Sequence, residues 1–345
     1  MKITEDISLA AFTTFGIGGP ARWFVQATSE AEIAEASDWA REQGVPLLVL
    51  GGGSNVLVAD EGFPGLVLHV GLKGIARDGD LFRVGAGEVW DEFVELAVAA
   101  NCAGIECLAG IPGTVGGTPV QNVGAYGQEA ATIIERVRAF DLVERRFAEF
   151  TNAECGFAYR RSRFNSTDRG RFIVTRVDYR LRQDGAPLVA YQDLKDHFAK
   201  GSTTPTLKET ADAVRSIRRS KGMLLVEGDP DCRSAGSFFK NPAVTEETAE
   251  GVRKVAANTG VSVQIFPADD GLVKIPAAWL IEQAGFAKGY MLGEAGISSR
   301  HTLALVNRGG ATAKEILALA EKIRGEVEAR FGIRLQREPE LVGFA

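Results

Sequence analysis

The stretch "AGIPGTVGGTPVQNVGAYGQE", residues 109–129, constrains this chain more than any other part of it. Six of its residues are glycines, at positions 110, 113, 116, 117, 124 and 127. Glycine loses more backbone freedom on folding than any other residue, so this density is costly unless the backbone must approach something closely. Pro112 and Pro119 offset part of that cost by stiffening the unfolded chain. Up to Gly127 the polar side chains are few: Thr114, Thr118, Gln121, Asn122 and Tyr126. That set suits a large, partly apolar cofactor with a diphosphate better than a metal, because backbone N–H groups can converge on an anion where side chains are scarce. A purely structural loop is the competing reading.

A second glycine loop, "GGGSN" (51–55), follows the apolar strand pattern "VPLLVL" (45–50). No Gly-Lys-Ser/Thr follows at the spacing of a P-loop. The next residues, "VLVAD", read as extended rather than helical, which argues against a Rossmann fingerprint. A phosphate cradle and a tight turn between strands both remain open for this loop.

The rest of the chain alternates strand and helix signals. "ARWFVQA" (21–27) reads as a strand and "SEAEIAEASDWAREQG" (29–44) as a helix, with Ser29 and Glu32 as a capping box and Gly44 as the stop. "GLVLHV" and "LFRVGAGEV" read as strands, and "WDEFVELAVAAN" (90–101) as a helix. Strands then dominate to about Leu181. Gly, Pro, Ser and Thr gather near 185–205, which marks the main domain boundary near 200, with two smaller lobes before it. Beyond it, 206–222, 245–260, 276–285 and 312–332 read as helices, and 302–307 and 333–342 as strands. In the first of these helices Leu207, Ala211, Val214 and Ile217 line one face. Arg215, Arg218 and Arg219 read as its solvated end. The fold class expected is α+β.

Net charge and cysteine usage narrow the function. The chain carries 39 Lys and Arg against 45 Asp and Glu, a formal charge of −6 with both signs interspersed. A nucleic-acid partner would favour a basic balance, so none is expected. The four cysteines show no C-x-x-C pair and no zinc spacing, which fits free thiols in a reducing compartment, and no metal site is expected. No apolar run reaches the roughly 18 residues of a membrane span. The N-terminus has early acids and no apolar signal stretch, so a cytoplasmic protein is expected.

One further stretch raises a chemical question. In "SAGSFFKNP" (234–242), alternation through Ser237, Phe238, Phe239 and Lys240 predicts a short strand. A hydroxyl in such apolar company needs a reason. No G-x-S-x-G motif is present, and the only histidines are His69, His197 and His301.

Taken together and in this order, "GGGSNVL", "AGIPGTVGGTPVQNVGAYGQE", "GFAYRRSRF", "AGSFFKNP" and "REPELV" resemble the UDP-N-acetylenolpyruvoylglucosamine reductase family of flavoenzymes. The resemblance runs from about Thr14 to Gly343. It implies a two-lobed FAD-binding region of the vanillyl-alcohol-oxidase type over residues 1–200, with lobes at about 14–70 and 71–200. An α+β substrate-binding domain over 201–345 follows. It implies non-covalent FAD, NADPH as co-substrate and a uridine-diphosphate sugar as substrate. The cofactor contacts implied are Gly51, Gly52, Gly53, Ser54, Asn55, Ile111, Pro112, Gly113, Gly116, Gly117, Thr118, Gly124, Ala125 and Tyr126.

The family's reaction sends a hydride to C3 of an enolpyruvyl ether and a proton to C2. By resemblance Arg160, in "YRRS", grips the substrate carboxylate, Ser237 delivers the proton, and Glu340 donates to the same carboxylate. Ser237 would then be a proton donor to a carbanion and need no histidine base. Glu338 stands two residues from Glu340 on the same side of a strand, and the family pattern favours Glu340. Substrate handles implied are Tyr191, on a loop that closes over the nucleotide, Lys221 at the diphosphate, Asn241 and Gln283. The connection "GMLLVEGDPDCR" (222–233) is longer than the family's usual one, which bears on Lys221 first. His301 reads as structural. Two alternatives stand beside this reading: another flavin enzyme of the same fold, such as a sugar-lactone or alcohol oxidase, and a flavin- or nucleotide-binding protein without catalysis.

Overall fold

The computed structural model describes residues 1–199 and 204–344. The expected boundary at 200/201 lies outside the described residues. Those that are described form two compact units. The first comprises residues 1–8, 20–53 and 63–220, and the second 9–19, 54–62 and 221–345.

Two sheets build the first unit. In one, Thr4–Ser8 pairs antiparallel with Pro20–Ala27, which lies parallel to Phe63–Val70, which lies parallel to Leu47–Leu50. Helix Glu30–Glu42 joins Pro20–Ala27 to Leu47–Leu50. Ser29 caps it, its hydroxyl accepting from the Glu32 N–H at 3.3 Å. The reciprocal half of the expected box is shifted by one residue: Glu32 accepts from the backbone N–H and hydroxyl of Thr28. The other sheet is antiparallel throughout, in the order Arg146–Thr151, Ile134–Asp141, Phe172–Arg180, Leu81–Gly85, Ile75–Asp78. Helix Trp90–Ala99 contributes Trp90 and Phe93 to an aromatic core with Phe82 and Tyr179. The indole N–H of Trp90 donates to the Leu108 carbonyl at 3.0 Å, so even the core's polar atom is satisfied.

Helix Leu207–Ser220 belongs to this unit. Its expected solvated end is corrected by two contacts. Arg215 pairs with Asp91 at 2.8 Å. Arg218 is buried, and its Nε donates to the Gly110 carbonyl at 2.9 Å. Position 218 follows Val214 by four and Ala211 by seven, so it shares their buried face. Arg219 is exposed, as expected.

The second unit combines short sheets with three helices, Glu246–Thr259, Ala277–Gln283 and Ala313–Phe331. Met291–Leu292, Ala295–Ile297 and Leu305–Asn307 form an antiparallel meander. Glu340–Val342 runs parallel to Val56–Val58, so two segments almost 300 positions apart share a ladder. Asp60 accepts the N–H groups of Ala313 and Lys314 and so caps the last helix from outside its own sequence neighbourhood.

Glu106 ties the first unit's loops together. Its side chain is fully buried and accepts from the N–H groups of Gly104 (2.8 Å), Ile105 (3.0 Å) and Leu188 (2.9 Å), and from Gln128 Nε2 (2.7 Å). An unpaired buried donor costs ~1–3 kcal/mol. Glu106→Ala is therefore expected to lower the unfolding free energy by about 3 kcal/mol or more in urea titration. A loss below about 1 kcal/mol would show that these donors find other acceptors.

Candidate functional site

The first glycine loop begins where strand Leu47–Leu50 ends. It meets the second loop at a backbone-to-backbone contact. A Cβ built on Gly52 would fall 2.6 Å from Gly113 Cα and 2.9 Å from its carbonyl carbon. One built on Gly51 would fall 2.8 Å from Thr114 Oγ1. At Gly52, where the neighbour is backbone, only glycine fits. Among the described residues, the backbone N–H groups of Gly52, Gly53, Ile111, Gly113 and Thr114 have no protein acceptor. Five donors without a protein acceptor on two touching loops can converge on an anion. Such an arrangement fits the diphosphate of a dinucleotide cofactor. Ser54 and Asn55, expected in the same cradle, belong to the second unit.

The remainder of the second loop is fastened to the first unit's core. Gly116 lies against Ala86, where a Cβ would meet the Ala86 methyl at 2.8 Å. Thr118 is buried, and its hydroxyl is committed to the Tyr179 phenol at 2.6 Å and the Val115 carbonyl at 2.8 Å. Its side chain thus serves the loop's anchorage. Gly117 is open, with nothing within 4 Å of an added Cβ. Ile111 and Ala125 pack against the first unit's core, while Pro112 is half-buried between Ile111 and Gly113. Gly124–Ala125 pairs with Gln128–Glu129 across a two-residue turn at Tyr126 (φ +49°) and Gly127 (φ +87°). Two positive φ values are the signature of a tight hairpin turn.

Arg160 sits in another tight turn of the same unit. Ala158 and Arg161 close it with reciprocal backbone hydrogen bonds of 2.9 and 3.0 Å. Arg160 itself is left-handed, φ +53°, which for a non-glycine residue costs on the order of 1–2 kcal/mol. The turn is held down on both flanks: Asn165 donates to the Arg160 carbonyl and Asn122 to that of Ala158. The guanidinium donates to the Gly124 carbonyl at 3.0 Å and lies 5.3 Å from the Tyr159 ring centre. A cation is thereby fixed onto the second glycine loop. Tyr126 meets Tyr191 edge-to-face at 5.5 Å. Burial pushes the Tyr126 phenol up to about 12, so it stays a hydrogen-bond donor at neutral pH. Tyr191 caps helix Gln192–Phe198 and is 48% exposed.

Ser237, Glu338 and Glu340 come together in the second unit. The expected strand at Ser237–Lys240 is corrected to two isolated bridges with different partners: Ser237 with Ala304, and Phe239 with Arg337. The Phe238 N–H donates to Leu303 at 2.7 Å, and its carbonyl accepts from Glu338 at 2.9 Å. The segment is extended but changes partner within three residues. The antiparallel register with Arg337 continues to Pro339 opposite Ser237, and Pro339 has no N–H to extend the ladder. Phe238 and Phe239 are buried, which leaves Ser237 half-buried at the end of the pinned segment. Glu338 is half-buried and Glu340 exposed. Asn55 holds both: its Nδ2 donates to the Glu338 carbonyl at 3.3 Å, and its carbonyl accepts from Glu340 at 3.0 Å.

The expected handles stand as follows. Lys221 is half-buried in the turn after helix Leu207–Ser220. Asn241 Oδ1 accepts from the Ala277 N–H at 2.9 Å, at the start of helix Ala277–Gln283. Gln283 is the last residue of that helix and half-buried. His301 Nδ1 accepts from Leu303, a structural use of the imidazole. Arg218 escaped the sequence reading, although its helical register with Val214 marks it. Among the described residues no group of His, Cys, Asp and Glu is arranged to hold a metal. No helix among them is long and apolar enough to cross a membrane.

Comparison with known proteins gives a consistent result. Residues 229–342 match the family described as "UDP-N-acetylenolpyruvoylglucosamine reductase, C-terminal domain", and residues 21–146 match "FAD binding domain". A protein of Streptomyces coelicolor named UDP-N-acetylenolpyruvoylglucosamine reductase is 44% identical, over 99% of this chain and 90% of its own. One of the same name from Thermobifida fusca is 46% identical, over 99% of this chain and 98% of its own. The crystal structure of UDP-N-acetylenolpyruvylglucosamine reductase (MurB) from Thermus caldophilus superposes with a TM-score of 0.70 at 29% identity, covering 99% of both chains.

The loop contact makes a direct prediction. Gly52→Ala forces a methyl into the Gly113 backbone and is expected to cost ~1–3 kcal/mol in urea unfolding. Gly251→Ala, in helix Glu246–Thr259 with nothing within 4 Å of the new Cβ, should be neutral or mildly stabilising. Equal effects of the two changes would mean that the glycine loops do not need their close approach.

Proposed function

This chain belongs to the UDP-N-acetylenolpyruvoylglucosamine reductase family, and from that premise we propose how its residues divide the work. The activity is the NADPH-dependent reduction of UDP-N-acetylglucosamine enolpyruvate to UDP-N-acetylmuramate, in peptidoglycan precursor synthesis. FAD is the cofactor. When bound, it carries the hydride from NADPH to C3 of the enolpyruvyl group. Gly52, Gly53, Ile111, Gly113 and Thr114 would hold it, because their N–H groups have no other acceptor. We take the attachment as non-covalent, in keeping with the burial that pushes the Cys107 and Cys155 thiols up to about 12 and disfavours thiolate attack on a flavin.

Hydride arrival at C3 leaves negative charge at C2, spread into the neighbouring carboxylate. Such charge is best met by fixed cations and donors. Arg160 supplies the cation, already immobilised against Gly124. Ser237 supplies the proton at C2, and its segment is pinned by the bridges to Ala304 and, at Phe239, to Arg337, so its hydroxyl needs little reordering. Glu340 is assigned to the substrate carboxylate as a hydrogen-bond donor when protonated, with Glu338 two residues before it in the chain. Tyr191, Lys221, Asn241 and Gln283 take the uridine diphosphate. Residues 1–200 and 201–345 serve cofactor and substrate respectively, apart from the segments 9–19 and 54–62 that pack with the second unit and helix Leu207–Ser220 that packs with the first. We place the reaction in the cytoplasm, supported by four cysteines that all stand as buried free thiols. No nucleic-acid partner enters this reading, given the net charge of −6.

The observation that carries this reading is the five N–H groups without a protein acceptor on touching glycine loops, in a chain that aligns with family members over 99% of its length. Two experiments test it. The purified protein is expected to be yellow, and acid precipitation should release the flavin into the supernatant; a colourless protein that FAD cannot reconstitute would sink the assignment. In stopped-flow absorbance, Ser237→Ala should leave bleaching by NADPH unchanged and slow recolouring by the enolpyruvyl substrate ~10²–10⁴-fold. Recolouring at the unaltered rate would remove Ser237 from the chemistry.

A further inference from the structure

The connection at 222–233 is held by a buried carboxylate. Asp231 is 2% exposed. Its Oδ1 accepts from the Ser299 N–H at 3.0 Å and from Arg308 Nη1 at 2.8 Å. Its Oδ2 accepts from the Ser299 hydroxyl at 2.6 Å and from Arg300 Nε at 3.0 Å. Arg300 also reaches Asp229 at 2.5 Å, so it spans both acids of "DPD". Burial opposes the charge on Asp231, and the hydrogen bonds from Ser299 with Arg308 nearby overcome it, holding the carboxyl below its usual range.

These donors are not scattered. Ser299 and Arg300 form the turn in which Ser298 donates to the Ala304 carbonyl at 2.8 Å, and the N–H groups of Arg300 and His301 donate to the Ser298 hydroxyl. Arg308 follows the strand Leu305–Asn307 and donates to Ile297 across the meander. Asp231 therefore clamps both ends of the segment 299–308. The middle of that segment carries Ala304, the bridge partner of Ser237, and Leu303, the acceptor for Phe238. Between Asp231 and Ser237, Arg233 accepts from the Asn307 N–H at 2.9 Å and Ser234 accepts from the Thr14 hydroxyl at 2.6 Å. The chain from 231 to 237 and the segment from 299 to 308 make a closed ring, fastened at Asp231, Arg233 and Ser237.

We propose that Asp231 is a positioning residue for Ser237, setting the aim of its hydroxyl through the 299–308 segment. This rests on the role given to Ser237 above. A ring with a charged fastener is stiff because removing one acceptor strands four donors, two of them cationic. Loss of aim costs proton delivery and leaves hydride transfer from NADPH untouched, since that step does not use Ser237.

The test is a double-mutant cycle on the two half-reactions. In the FAD-loaded enzyme, Asp231→Asn is expected to slow recolouring by the enolpyruvyl substrate ~10-fold or more, with bleaching by NADPH within about twofold of the parent. In the Ser237→Ala background the same change should have almost no further effect. Ser299→Ala removes only the 2.6 Å hydroxyl donor and serves as the milder probe if Asp231→Asn does not fold. It should slow recolouring by about threefold and lose that effect in the Ser237→Ala background. A slowdown of equal size in both backgrounds, slowing of both half-reactions alike, or no slowdown in either probe overturns the proposal. If Ser237→Ala itself recolours at the parent rate, the assignment of Ser237 fails instead, and the cycle tells the two failures apart.

Discussion

The contact on which the first unit depends is the backbone approach of Gly52 to Gly113. Everything around it serves to bring two loops together without side chains between them. Strand Leu47–Leu50 delivers the first loop from one sheet. The second loop is carried by the other sheet through the packing of Gly116 on Ala86 and the buried pair of Thr118 with Tyr179. Arg218 grips Gly110 from helix Leu207–Ser220, and Asp91 accepts from the Gly110 N–H at 2.7 Å. That one glycine is therefore held by both of its backbone polar groups. Rigidity in a glycine loop must be imposed from outside, because glycine brings none of its own. The anchors supply it and leave five N–H groups facing away from any protein acceptor.

Much of this was legible in the sequence, and the reasons are local. Six glycines and two prolines in residues 109–129 announce an ordered loop whatever the surrounding fold. Helix Ala313–Phe331 begins at Thr312 with a reciprocal capping box and ends at a left-handed Gly332, both readable from residue type. "VLVAD" after the first loop is a strand at Val56–Val58, as its β-branched composition predicts. Ordered motifs then carried the family, and with it the cofactor and the reaction.

What escaped the reading depends on contacts between distant positions. Nothing local in residues 54–62 says that they pair with Glu340–Val342, and nothing in 9–19 says that Phe15 joins a core with Phe238. Arg218 looked like solvent-facing charge because a run of basic residues hides its register; only its spacing from Val214 separates it from Arg219. The Ser237 segment has the alternation of a strand, but strand propensity describes one residue at a time and partner identity is a property of the pair. Ser237 and Phe239 point to the same side in sequence terms yet bridge different neighbours.

That change of partner is itself a consequence of what the segment must do. A serine in the middle of a regular ladder has flanking residues tied to the same two strands throughout, and its hydroxyl lies in a sheet face already filled by neighbours. Here the pairing with residues 336–338 ends at Pro339, which cannot donate, and Ser237 bridges Ala304 instead. Ser237 sits at this handover with its backbone fixed and its side-chain face half open. The buried rings of Phe238 and Phe239 supply the fixity that two missing ladder positions would otherwise have given. The carboxylates arrive by the same device. Asn55 binds the backbone of both Glu338 and Glu340. Polar groups at a site must be held by something other than their own hydrogen-bonding atoms, or those atoms are spent before substrate arrives. In this unit the backbone does the holding.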